Sequence, residues 1–112
     1  MPKLQAMPRV KYIEFNGTEH VVDVATGLSV MEGAIRHQIP GIDGDCGGAC
    51  ACATCHVYVD PAWAGKIPPM SELEHGMLDF AVDPTARSRL SCQIEMTPEL
   101  DGLTVRLPEH QY

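Results

Sequence analysis

Positive charge is scarce in this chain: 15 acidic residues stand against 8 Lys and Arg, a net charge of −7 with His neutral. Nucleic-acid binding needs a basic stripe or patch, so that class is excluded. Long apolar runs are missing as well. None approaches the roughly 18 residues of a transmembrane helix, so no contact with a membrane is expected. The opening Met1-Pro-Lys-Leu-Gln-Ala-Met-Pro has neither the apolar centre of a signal peptide nor an Arg-rich amphipathic pattern. A cytoplasmic, bacterial location is expected, and a mature mitochondrial matrix form would look the same. Aromatic residues are only 5% of the chain, so aliphatic side chains must supply most of the core. Hydrophobic residues still reach 45%, which fits a folded domain and excludes disorder. Repeats and low-complexity segments are absent. No nucleophile–base pair stands out, so the chain does not read as an enzyme. The 5 cysteines are an odd number, a poor fit to a fully paired disulfide framework.

Four of these cysteines crowd into Gly44-Asp-Cys-Gly-Gly-Ala-Cys-Ala-Cys-Ala-Thr-Cys-His56, at positions 46, 50, 52 and 55, and the fifth is Cys92. Five residues separate Cys46 from Cys52, two separate Cys52 from Cys55, and thirty-six separate Cys55 from Cys92. A compact three-cysteine loop with one distant partner is how a single chain wraps a [2Fe–2S] cluster in four thiolates. Gly47 and Gly48, with Gly44, let the backbone curl and aim N–H groups at an anionic centre. The expected role is a one-electron carrier. Structural zinc commonly uses two Cys-x2-Cys knuckles, or one knuckle and a His pair. This chain has the single knuckle Cys52–Cys55, and a zinc-bound structural or interaction module is the competing reading. Cys50 reads as a small buried filler. His56 follows a cysteine directly and is expected to make an orienting hydrogen bond between the cluster loop and the body. His20, His37, His75 and His110 lack ligand spacing and are expected to be solvated.

Residues 1–9 are expected to form a flexible tail before a single domain over 10–112. Strands are expected over Val10–Phe15 and Val21–Val24, joined by an Asn16-Gly17 turn. Ser29 and Glu32 form a capping box for a helix whose inner stripe is Val30, Met31, Ala34 and Ile35, closed by Pro40. Further strands are expected at Val57–Val59, Leu90–Glu95 (carrying Cys92) and Leu103–Leu107. Trp63 belongs to an expected helical turn, packed over an apolar edge. Ser71 and Glu74 suggest a second capping box, opening a helix that runs to about Ala81. Its inner stripe would be Leu73, Met77, Phe80 and Ala81, with Glu72, His75 and Asp79 outside and Glu74 on the flank. This order suits an α+β domain with a small mixed sheet and one helix across a face.

The motifs Cys46-x5-Cys52-x2-Cys55-His56 and Ser88-Arg-Leu-Ser-Cys92-Gln93 resemble the adrenodoxin/putidaredoxin branch of the [2Fe–2S] ferredoxins. Met77-Leu78-Asp79, Met96-Thr-Pro-Glu-Leu-Asp-Gly102, Leu107-Pro108 and the closing Tyr112 extend the likeness, which leans to the bacterial P450-system members. The resemblance implies a β-grasp fold with an acidic interaction helix, and one [2Fe–2S] cluster held by Cys46, Cys52, Cys55 and Cys92. It implies a monomer working through transient complexes, taking electrons from an NAD(P)H-dependent flavoprotein ferredoxin reductase and giving them to a cytochrome P450 monooxygenase. Glu72, Glu74, Asp79 and Tyr112 would then meet the partners. Electron donation in iron–sulfur cluster assembly is the alternative within the same branch. Cys50 is an added thiol, and Leu73 and Gly76 stand where relatives often carry acids.

Overall fold

The computed structural model describes residues 8–39, 55–63, 65–79, 81 and 85–108. Val10, Tyr12 and Ile13 are apolar positions of β1 (Arg9–Ile13) that turn inward, each at most 7% exposed. Phe15 lies beyond the strand and is exposed. At the turn, Gly17 takes φ +96°, Thr18 N–H donates to Asn16 Oδ1, and the chain returns as β2 (Glu19–Asp23). Antiparallel pairing runs from Arg9 opposite Asp23 to Ile13 opposite Glu19. β1 thus begins at Arg9, one residue before the expected strand, and Val24 N–H donates to the carbonyl of buried Pro8.

α1 (Val30–Arg36) starts where the sequence indicates. Ser29 Oγ accepts from Glu32 N–H, and Glu32 Oε1 accepts from Ser29 N–H, so both halves of the capping box are made. Its inner face differs from the expected stripe: Gly33 is buried while Ile35 is 46% exposed. The cause is close approach. A Cβ on Gly33 would lie 2.5 Å from Val24 Cγ2 and 2.8 Å from the Tyr12 hydroxyl. That hydroxyl donates to Val30 O at 2.6 Å, fastening the helix to the sheet. The helix ends in a Schellman turn, with Ile39 N–H bonded to Ala34 O and Gln38 N–H to Ile35 O. Gln38 occupies the left-handed position there, at φ +57°.

Among the described residues, β3 (His56–Val59), α2 (Glu72–Leu78), β4 (Ser88–Leu90) and β5 (Leu103–Arg106) complete the strands and α-helices. The five-stranded sheet has the order β2-β1-β5-β3-β4. β1 and β5 run parallel and the other neighbours are antiparallel, the small mixed sheet expected. Trp63 packs on the core edge: a Cβ added to Gly102 would lie 3.4 Å from its ring, and Lys66 Nζ sits 4.9 Å from the ring centroid.

Two expected elements are redrawn. Leu90–Glu95 is not one strand: β4 stops at Leu90 and Ser91–Gln93 forms a single 3-10 turn. The Ser91 N–H and hydroxyl both donate to Cys55 O, at 3.0 and 2.7 Å, and wind the chain off the strand path. α2 ends at Leu78, and Ala81 lies beyond it. Its buried residues are Glu74 and Leu78, while Leu73 is 59% exposed. The helix is therefore turned by about one residue from the expected stripe. Phe80 lies outside the described residues.

Candidate metal centre and adjoining helix

Antiparallel pairing of β3 with β4 sets His56 opposite Leu90, which places Cys55 and Cys92 just beyond the paired ends. The double bond from Ser91 to Cys55 O then closes the gap. Cys55 is 1% exposed and Cys92 is half-buried. Their thiols interact directly. The Cys92 side chain, followed by burial, pushes the Cys55 thiol far above its usual range; the Cys92 N–H and the Ser91 hydroxyl pull the other way. Gln93 Nε2 donates to Cys92 Sγ at 3.4 Å.

Two thiols in contact, one of them buried, with backbone and side-chain donors aimed at sulfur, fit a thiolate-bound iron–sulfur group. A metal centre replaces the crowded protons, and the surrounding donors stabilise negative sulfur. The other expected ligands, Cys46 and Cys52, lie outside the described residues, as do Gly47, Gly48 and Cys50. Among the described residues no group of three or more His, Cys, Asp or Glu could hold a metal ion elsewhere.

His56 is fully buried and its Nε2 shares a 2.7 Å hydrogen bond with Ser88 Oγ, which also accepts from Thr85 N–H at 2.7 Å. The ring meets Tyr58 edge-on at 4.7 Å. The residue after Cys55 thus ties β3 to β4 through its side chain. His20 is bonded to Glu14 Oε2 and His37 to Asp23 O, so neither is simply solvated. His75 is exposed on α2.

α2 packs against β4, the strand that leads into Cys92. Its outward residues include Glu72, Leu73, His75 and Asp79, all exposed. Glu74 corrects the sequence expectation. Ser71 Oγ accepts from Glu74 N–H, but the Glu74 carboxylate does not complete a capping box. It is 1% exposed and grips Arg89 through two bonds, Nε to Oε2 at 2.6 Å and Nη2 to Oε1 at 2.9 Å. Leu90 N–H adds a third bond at 2.9 Å, and Arg89 Nη1 donates to Pro68 O. A carboxylate so engaged does not face a partner; the buried Arg89 draws it inward. Tyr112 lies outside the described residues. In the sequence Arg89, Ser88 and Ser91 stand out only as part of a motif, and nothing in their spacing announces these bonds.

The 2Fe-2S iron-sulfur cluster binding domain family matches residues 13–97. Rhodocoxin from Rhodococcus erythropolis is 54% identical over 106 residues, covering 94% of this chain and 99% of that protein. A solved mutant of putidaredoxin, an Fe2S2 ferredoxin, superposes with a TM-score of 0.91 at 48% identity, over 93% of this chain and 99% of that one. Putidaredoxin in its covalent complex with putidaredoxin reductase gives a TM-score of 0.86 at 50% identity, over 89% and 97% of the two chains. No described helix is long and apolar enough to cross a membrane. The chain belongs to the 2Fe-2S iron-sulfur cluster binding domain family and, within it, to the adrenodoxin/putidaredoxin-type ferredoxins, electron carriers with one [2Fe–2S] cluster.

Proposed function

We propose that this ferredoxin carries single electrons from an NAD(P)H-dependent flavoprotein ferredoxin reductase to a cytochrome P450 monooxygenase, on a cluster held by Cys46, Cys52, Cys55 and Cys92. The observation that carries the ligand assignment is the meeting of Cys55 and Cys92 at the end of the β3–β4 pair. The likeness to putidaredoxin, which is solved in complex with its reductase, supports the donor half of the reading.

A bound [2Fe–2S] cluster supplies a store for one electron. The protein's own residues hold and orient it. Cys55 is fixed through its carbonyl by Ser91, and His56 is fixed through Ser88, so the backbone beside the Cys55 thiol is held in place. Gly47 and Gly48, having no Cβ, would let a loop backbone turn its N–H groups toward sulfur. Glu72 and Asp79 face solvent beside β4, where they would attract a basic partner surface and orient a short-lived complex. Tyr112 would add an aromatic contact to that interface. The protein acts as a monomer between such complexes.

The test uses the intact holoprotein as bait in the source cell's lysate at low salt, with salt elution. Eluates are assayed for NAD(P)H-dependent reduction of the bait and for a P450 haem spectrum, and identified by mass spectrometry. A flavoprotein reductase together with a P450 is the expected recovery. A cysteine desulfurase or cluster scaffold in their place would overturn the reading in favour of cluster assembly. For the ligands, Cys50→Ser should keep the visible absorption and Cys52→Ser should lose or shift it. The reverse pattern would exchange their roles.

A further inference from the structure

Gln93 closes the 3-10 turn that carries Cys92, and its side-chain amide donates to the cysteine sulfur, Nε2 to Sγ at 3.4 Å. We propose that Gln93 is a positioning residue that raises the reduction potential of the centre by donating this hydrogen bond to Cys92; the inference rests on Cys92 being a ligand. A metal-bound thiolate only accepts hydrogen bonds, so it holds the amide with its N–H toward sulfur. Each added electron makes sulfur a better acceptor, and a charge-assisted bond is stronger than a neutral one. The bond is therefore worth more after reduction than before it, which favours the reduced state. Hydrogen bonds to the sulfurs are among the levers that set potentials in such centres.

The backbone gives the amide a fixed base. Ser91 on one side is fully buried and doubly bonded to Cys55 O. Ile94 on the other is 1% exposed; its N–H donates to Ser91 O, and its carbonyl accepts from Val30 N–H at the start of α1. Gln93 itself is exposed, so replacing it opens no cavity in the core. An effect on potential can then be separated from an effect on folding.

The experiment is a spectroelectrochemical titration of the holoprotein and of Gln93→Leu and Gln93→Glu, with iron content and visible spectrum measured for each. Gln93→Leu removes the donor at similar size; Gln93→Glu replaces it with an acceptor. The expected order of potential is wild type, then Leu, then Glu. The equilibrium constant for reduction should fall about threefold to tenfold in Gln93→Leu, a tenfold change being about 59 mV for one electron. The deuterium sensitivity of the Fe–S(Cys) resonance Raman bands should decrease in the same variant. A shift in Gln93→Glu alone would mean that charge, not the hydrogen bond, is felt, and would overturn the proposal. Cys92→Ser is measured in parallel. A normal spectrum in Cys92→Ser defeats the ligand assignment and the inference together. An altered spectrum there, with an unshifted potential in Gln93→Leu, defeats the inference alone.

Discussion

Arg89 brings a guanidinium into the interior, its side chain 9% exposed, and Glu74 answers it from α2 at 1%. Desolvating both charges costs several kcal/mol each, and the bidentate bond with Leu90 N–H offsets much of it. Removing one partner strands the other. Glu74→Ala should cost about 3–5 kcal/mol, read as a lowered urea midpoint, and replacing both residues with apolar ones of similar volume should recover much of that loss. The sequence could not show this. Ser71-x-x-Glu74 is the spacing of a capping box, and the true partner lies 15 residues away in another element. The cofactor was legible, because ligand chemistry fixes the type and spacing of cysteines, and the family match bears out the [2Fe–2S] cluster that this spacing indicates. Tyr12 carries a second prediction. Burial raises its pKa well above the ordinary value of 10.0, so the native state keeps a proton that the unfolded chain gives up. Stability should hold below about pH 10 and fall above it. Tyr12→Phe should flatten that alkaline limb and cost about 1 kcal/mol at neutral pH through loss of the bond to Val30 O.

Among the elements, α1 was the most legible, because its signals are local: a complete capping box at the start and apolar spacing along one face. Its packing was not, since the need for Gly33 arises from Val24 and Tyr12 across the interface. Gly33→Ala gains about 1 kcal/mol in helix propensity but meets atoms closer than any Cβ tolerates. Overpacking costs about 1–3 kcal/mol, so the net change should be destabilising in urea unfolding. Gln38→Gly should do the opposite. At φ +57° in the Schellman turn, glycine removes a steric penalty at a site that already prefers it, and a gain of about 0.5–1 kcal/mol is expected. The 3-10 turn at Ser91–Gln93 was illegible for a related reason: Leu90 to Glu95 has a strand's composition, and only the distant carbonyl of Cys55 bends it.

At the scale of the whole molecule, a net charge of −7 and the exposed Glu72 and Asp79 should, on the proposed function, favour the approach of a basic partner. Charge at an interface rim governs encounter more than residence. Asp79→Asn should slow reduction by the reductase severalfold at low ionic strength and flatten its salt dependence in stopped-flow traces, and an unchanged low-salt rate would remove Asp79 from the encounter surface. The sheet order β2-β1-β5-β3-β4 has a different consequence. β5 is the last of the described strands along the chain, yet it is the seam between the hairpin β1–β2 and the pair β3–β4. Beside it, Arg9 N–H reaches Asp101 Oδ1 across a sequence separation of 92. During synthesis the ribosome must therefore deliver the chain through β5 before the two halves can join, and until then they wait as separate pieces with unpaired inner edges. The Cys55–Cys92 meeting belongs to only one of those pieces, so metal loading and closure of the sheet can be separate events in biogenesis.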